Sequence, residues 1–199
     1  MLYTCPRCSA FRPDMTIDDE RSLAVCPECG YERLFRRTPL FAIGGASGSG
    51  KTAICRLLAG KVPGVICLDG DIFWDKARFS AGDPGAFYEY ALRVAMNIAQ
   101  SGQIVAIFNA GFGVPGNLEG CVARRYFSEM NYLGLYCSDD ELERRLRARP
   151  GASDGFIAAM KGFNALFRSG GAAPDVMDTS RDTTEETGER VRSWIMGKL

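Results

Sequence analysis

Phe41-Ala42-Ile43-Gly44-Gly45-Ala46-Ser47-Gly48-Ser49-Gly50-Lys51-Thr52 is the stretch that decides the fold. A short apolar run leads into a glycine-rich turn, and Lys-Thr then opens a helical pattern. Counted from Gly45, the spacing is G-x-x-x-x-G-K-T, that of a phosphate-binding P-loop. Each part has its own physical purpose. Glycines let successive backbone N–H groups turn inward around phosphate oxygens, and the helix start adds its positive dipole end. Lys51 reaches the β- and γ-phosphates as a point charge, and the Thr52 hydroxyl is a magnesium ligand. On this reading Gly45, Ala46, Ser47, Gly48, Ser49, Gly50, Lys51 and Thr52 hold a nucleotide. The alternative is a plain Gly/Ser linker, which the strand-before, helix-after context disfavours.

Downstream of Thr38 the chain alternates apolar runs with amphipathic segments, the pattern of βαβ units on a parallel sheet. The runs place strands at 40–43, 65–68, 104–108, 132–136 and 175–178. Helices are expected from 51 to about 60, after Asp83 as N-cap and Pro84 as first helical residue, and near 118–130. Further helices follow a capping box at Ser138-Asp139-Asp140-Glu141, cover 155–168, and follow a second box at Thr183-Thr184-Glu185-Glu186. In the second of these helices Phe87, Tyr90, Ala91, Val94, Ala95 and Ile98 recur at helical spacing, as core or cleft wall, and Trp194 is read as core. The expectation is an α/β, doubly wound, three-layer P-loop NTPase fold with a five-stranded parallel sheet. Ligands should then sit at the carboxyl ends of the strands.

Residues 1–37 differ in composition and are read as a separate unit from 38–199. Cys5-Pro6-Arg7-Cys8 and Cys26-Pro27-Glu28-Cys29-Gly30 are two C-P-x-C knuckles separated by 17 residues. Four cysteines in two pairs suit structural zinc, and Gly30 supplies a permissive turn. The alternatives are a redox pair or two disulfides. The pattern resembles a zinc ribbon. So short a segment cannot bury a sufficient core, so the metal would supply its folding energy. Its six arginines meet six acids, and zinc with four thiolates is anionic, so it is a poor electrostatic match for nucleic acid. Arg33, Arg36 and Arg37 nonetheless cluster near the junction.

The totals exclude several classes. In 199 residues Lys and Arg number 24 against 24 acids, so no net field points to nucleic acid or a membrane. No long apolar run or signal-peptide pattern is present, which with the cysteine usage leads to the expectation of a cytoplasmic protein. Cys55, Cys67, Cys121 and Cys137 then read as core thiols. Histidine is absent, so any general base must be another group.

Asp69-Gly70-Asp71 follows the second strand of the parallel sheet, on the same rim as the P-loop. Two carboxylates around a glycine can divide two tasks, one at the magnesium shell and one accepting a proton from an attacking hydroxyl. They can also simply cap the next turn. The third strand ends Ile107-Phe108-Asn109 with no acid, where many P-loop proteins carry a metal-binding aspartate. An amide there suits reading a substrate, and the missing acid favours Asp69 for magnesium. Arg144, Arg145, Arg147 and Arg149 precede Pro150-Gly151, with 145 and 149 on one helix face as candidates to close over the transferring phosphoryl group. The alternative for them is a solvated face paired with neighbouring acids.

Residues 39–199 resemble the P-loop kinase group that includes nucleoside and nucleoside monophosphate kinases and gluconate, shikimate and adenylylsulfate kinases. The resemblance rests on 45–52, on Leu68-Asp69-Gly70-Asp71, on Leu142-x-x-Arg145-Leu146-x-x-Arg149, and on Val176-Met177-Asp178-Thr179-Ser180. It implies ATP and magnesium as cofactors, with Asp69 nearer the metal and Asp71 nearer the acceptor. It also implies catalytic roles for Lys51, Asp71, Arg145 and Arg149, and adenine beside Thr179, Ser180 and Arg181. The expected function is transfer of the γ-phosphoryl group of ATP to a small metabolite, a nucleoside or nucleotide first. An ATPase or switch that uses the ribbon to dock a protein or nucleic acid is the other reading. The ribbon is not a standard part of these kinases.

Overall fold

A computed structural model describes residues 2–79 and 83–199. The first 37 residues carry a three-stranded antiparallel sheet in the order β1 (Thr16–Asp18), β2 (Leu23–Val25), β3 (Glu32–Leu34). The rest follows as β4 (Leu40–Gly45), α1 (Lys51–Leu58), β5 (Val65–Asp69), α2 (Gly85–Ala99), β6 (Ile104–Phe108) and β7 (Met130–Tyr136). After these come α3 (Asp139–Arg147), α4 (Asp154–Arg168), β8 (Asp175–Asp178) and α5 (Thr184–Met196).

Strands β4 to β8 form one sheet in the order β5-β6-β4-β7-β8, and every pairing in it is parallel. Near-continuous apolar runs such as Leu40-Phe41-Ala42-Ile43 are what a strand covered on both faces requires. Alternate residues divide between two cores. Phe41, Ile43, Phe108 and Leu135 pack with Ile54 of α1 and Val191 of α5. Leu40, Ala42, Ile107 and Tyr132 pack with Phe87, Ala91 and Ala95 of α2. On that second face Phe167 of α4 covers Tyr136. This is a three-layer α/β fold. From central β4 the chain crosses to one side for β5 and β6, then to the other for β7. The loop after β4 therefore lies at the topological switch point, where open α/β sheets bind ligands.

The three-stranded unit lies against the second face rather than apart from it. Tyr3 and Phe35 pack on Tyr126, and one apolar cluster runs from Cys5 and Cys26 to Phe87 and Phe112. Polar contacts reinforce this seam. The Tyr126 hydroxyl donates to the Pro13 carbonyl at 2.7 Å, and Arg93 of α2 stacks on the Tyr3 ring.

Several elements differ from expectation. No α-helix forms near 118–130; two short 3-10 turns, Pro115–Asn117 and Val122–Tyr126, stand there instead. Gly116 and Gly120 weaken a helix, and Met130 already pairs with Leu40, so the chain must be extended by then. Helix α2 starts one residue late, capped by Pro84, although the Asp83 carboxylate still accepts from Gly85 N–H. Its buried face also takes Tyr88, Leu92 and Met96. Helix α3 ends at Arg147, so Arg149 lies beyond it; a residue before proline is pushed out of helical geometry. Only half of the box at Ser138 forms, because Arg144 and Arg145 take the Glu141 carboxylate. The box at Thr183 and Glu186 is complete. Trp194 is half-buried: its ring meets Phe41 edge-on while its indole N–H donates to Asp175 at 2.9 Å. A buried indole needs such a partner, which keeps it at the rim of the core.

Candidate functional site

The P-loop runs from Gly45 to the start of α1. Gly45, Gly48 and Gly50 have φ of 142°, 91° and 100°. An added Cβ at Gly45 would lie 2.3 Å from the Leu135 carbonyl oxygen, so strand pairing and loop reversal together demand glycine there. The first N–H groups of α1 receive no side-chain cap. Free donors at a helix N-terminus suit an anion.

Lys51 is buried, and its ammonium donates to the carbonyls of Gly45 at 2.8 Å and Ala46 at 2.9 Å. Burial pulls its pKa from the ordinary 10.5 to about 8, against the pull of nearby Asp71, while Arg149 lowers it further. A cavity of about 430 Å³ opens over the loop. Lys51, Thr52, Asp71, Arg145, Arg149 and Thr179 all contribute to its wall. These come from five elements or connections, and the sheet order brings them together.

Asp69 and Asp71 sit differently. Asp69 ends β5, and its Oδ1 accepts from the Asp71 N–H at 3.2 Å, capping a 3-10 turn at Gly70–Phe73. Asp71 lines the cavity, whereas Asp69 is not among its lining residues. Asn109, at the end of β6, donates from Nδ2 to Asp71 Oδ1 at 2.6 Å. The amide expected to read a substrate thus meets a carboxylate of the chain itself.

The two arginines also divide. Arg145 donates to Glu141, to the Gly48 carbonyl at 3.3 Å, and to the Thr179 hydroxyl and carbonyl at 3.2 and 2.7 Å. It ties α3, the P-loop and the exit of β8 together. Glu141 holds its charge down to low pH: the Arg144 guanidinium, then Arg145, lower its pKa to about 2 against the cost of burial. Arg149 reaches over the loop mouth and donates to the Ser47 hydroxyl at 3.1 Å. Arg181 does not line the P-loop cavity. It lines an adjoining cleft of about 620 Å³ with Ser180, and Glu141 and Arg144 border both hollows. Glu141 and the buried Thr179 were missed as organising residues because their partners are distant in sequence. The only local signal was that Glu141 stands one turn before Arg145.

Within the N-terminal unit the four knuckle cysteines converge, all Sγ atoms lying within 4.8 Å of one another. Cys5–Cys29 and Cys8–Cys26 Sγ separations are 3.6 and 3.8 Å. Four thiolates on one tetrahedral zinc would be about 3.8 Å apart. The knuckles turn alike: Ser9 N–H donates to the Cys5 carbonyl and Gly30 N–H to that of Cys26, with φ of 60° and 68° at Ser9 and Gly30. The donor set fits a closed structural zinc centre. Among the other thiols Cys55, Cys67 and Cys121 are pushed up by burial, to about 12, 11 and 11, and Cys137 is raised for the same reason. Cys55 and Cys137 are buried, while Cys67 and Cys121 are half-buried.

No protein-family model and no curated protein sequence matches the chain. Solved structures do share its fold. A sugar kinase from Janibacter sp. superposes with a TM-score of 0.61 at 18% identity, over 80% of this chain and 94% of that one. The tunicamycin resistance protein of Deinococcus radiodurans gives 0.61 at 18%, over 80% and 96%. A gluconokinase from Sinorhizobium meliloti gives 0.54 at 14%, over 83% and 99%. The fold is that of the P-loop small-molecule kinases. No helix among the described residues is long and apolar enough to cross a membrane.

Proposed function

We propose that this chain is an ATP-dependent phosphotransferase that moves the γ-phosphoryl group of ATP to a hydroxyl of a small metabolite. The observation that carries the reading is Asp71 on the wall of the same cavity as Lys51 and Thr52. A plain NTPase needs the loop; a kinase also needs a carboxylate beside it to orient an acceptor hydroxyl and take its proton.

In this reading the N–H groups of 45–52 cradle the phosphates, and Lys51 leaves its two carbonyls for the phosphate oxygens. Thr52 on the cavity wall would hold magnesium, with Asp69 at the end of β5 as the second candidate although it does not line the cavity, and the ion would supply neutralising charge at the phosphates. Asp71 accepts the hydroxyl proton. Arg149, which reaches over the loop mouth to Ser47, adds positive charge at the transferring group, while Arg145 braces the loop and contributes at longer range. Adenine would lie toward the cleft of Ser180 and Arg181. Trp74 follows Asp71 closely and packs with Phe79 and Phe87, an aromatic cluster beside that turn. Nucleosides and nucleotides are the first acceptors to try, with sugars and sugar acids next. Residues 1–37 form a zinc-stabilised unit, and 38–199 the kinase unit.

Acceptor-dependent ADP release tests the proposal. The expected outcome is release stimulated by at least one nucleoside, nucleotide, sugar or sugar acid and abolished in Lys51→Ala. Release at one rate whatever the acceptor would instead identify an ATPase.

A further inference from the structure

Asn109 is buried, with 9% of its surface exposed, and both ends of its amide are spent. Its Oδ1 accepts from the Gly111 N–H at 3.1 Å, and its Nδ2 donates to Asp71 Oδ1 at 2.6 Å. The backbone N–H can only donate, so the amide oxygen must face Gly111 and the nitrogen must face Asp71. Its main chain is fixed too, since Asn109 N–H donates to the Ile43 carbonyl of β4 at 3.1 Å. On the other side Gly70 makes the approach possible: a Cβ there would lie 2.9 Å from Asn109 Cβ and 3.2 Å from the Phe108 carbonyl. The pair is thus built from the ends of β5 and β6, and braced on the strand that carries the P-loop.

We propose that Asn109 is a positioning residue for phosphoryl transfer, fixing Asp71 so that Oδ2 is the oxygen presented to the acceptor. The inference rests on the kinase reading above. In the step it serves, the acceptor O–H proton passes to Asp71 Oδ2 and a bond forms between the acceptor oxygen and the γ-phosphorus. The bond from that phosphorus to the β–γ bridging oxygen breaks, and its electrons leave with ADP. Asn109 touches none of the reacting atoms. It spends Oδ1 in a charge-assisted hydrogen bond and so removes one of the two ways the carboxylate can turn. The residue type also follows from charge. An acid at 109 would set a second carboxylate against the first at hydrogen-bond distance, with no donor between them and like charges in repulsion. The amide where many P-loop proteins have an acid is what an Asp71 base requires.

The decisive variant is Asn109→Asp, which keeps the acceptor for Gly111 N–H and removes only the donor to Asp71. It is assayed by ADP release with Mg·ATP and the acceptor that the panel identifies, beside Asp71→Asn. The expected result is a kcat roughly 10- to 100-fold lower near neutral pH, since the lost alignment impairs the base. The KM for ATP should stay within about twofold, because the P-loop donors are untouched. A role confined to bracing the loop would instead raise the KM for ATP. If Asp71→Asn is inactive while Asn109→Asp matches the parent protein in kcat and KM, the inference is overturned and the kinase reading stands. If Asp71→Asn itself retains full transfer, the role of Asp71, and this inference with it, is lost. Should Asn109→Asp fail to fold, Asn109→Ala is read by the same split: lower kcat at unchanged KM supports the assignment, and unchanged kcat contradicts it.

Discussion

At the residue scale, the charge on Lys51 depends on where the chain has put it. Burial holds the ammonium near pKa 8, so it is protonated below that pH and loses its proton above it, where an exposed lysine would stay charged. A lysine that must be cationic to meet phosphate then gives an ATP dissociation constant that is flat below about pH 8 and rises above it, by up to about tenfold per unit until the pKa of the complex is reached. Titrating a fluorescent ATP analogue against pH checks this. Lys51→Met should bind weakly at every pH and flatten the curve, and a parent affinity unchanged to about pH 10 would contradict the assignment. Lys51 and the loop around it were readable because their roles lie within eight consecutive residues. Asn109 and Asp71 were each visible as strand-end residues, but their hydrogen bond was not. They stand 38 positions apart, and only the pairing of β5 with β6 sets them side by side.

At the element scale, the legible pieces were those whose signal is local. Strands β5 and β8 are bounded by glycine, proline or aspartate, and the cap at Thr183 announces α5. The stretch 118–130 carried apolar residues at helix-like intervals, yet their spacing serves another end: Leu118 and Tyr126 anchor two tight turns, one into the core and one against the N-terminal unit. Helix α4 shows how one element is fastened to the sheet. Asn164 is fully buried and makes two hydrogen bonds to the Cys137 backbone, accepting from its N–H at 3.2 Å and donating to its carbonyl at 2.7 Å. Asn164→Ala leaves both backbone groups buried without those partners. The expected cost is about 2–6 kcal/mol of folding stability, at roughly 1–3 kcal/mol per orphaned group. A denaturant midpoint within error of the parent protein would show that the two bonds are dispensable. Charge at α3 belongs to this scale too. Glu141 has its pKa depressed by Arg144 and Arg145, so its contribution is present above the ordinary carboxylate range and is lost as pH falls toward 2.

At the scale of the whole molecule, the N-terminal unit is joined to the rest by a shared apolar cluster rather than by a free linker. Its Tyr3 lies on Arg93 and Tyr126, and α2, which carries Arg93, sends Phe87 to Trp74 and Phe79, close in sequence to Asp71. The nucleotide side draws on other contacts, with α1 packed in the core on the opposite face of the sheet. Removing metal from the four cysteines, by chelator or by Cys8→Ser, should therefore speed amide exchange in 85–99 while leaving ATP-analogue binding within about twofold, since a metal held by four thiolates contributes folding energy to so small a unit. Unchanged exchange in α2 after confirmed metal loss would sever that link. The central claim is that a carboxylate beside the P-loop makes this chain a kinase. It is tested most directly by following the labelled γ-phosphoryl group of ATP in the parent protein and in Asp71→Asn, across the acceptor panel. The account predicts label in a phosphorylated acceptor with the parent protein and at least a roughly hundredfold slower transfer with Asp71→Asn, at equal ATP binding. Label found only as inorganic phosphate, at the same rate with and without acceptor and in both proteins, would contradict it.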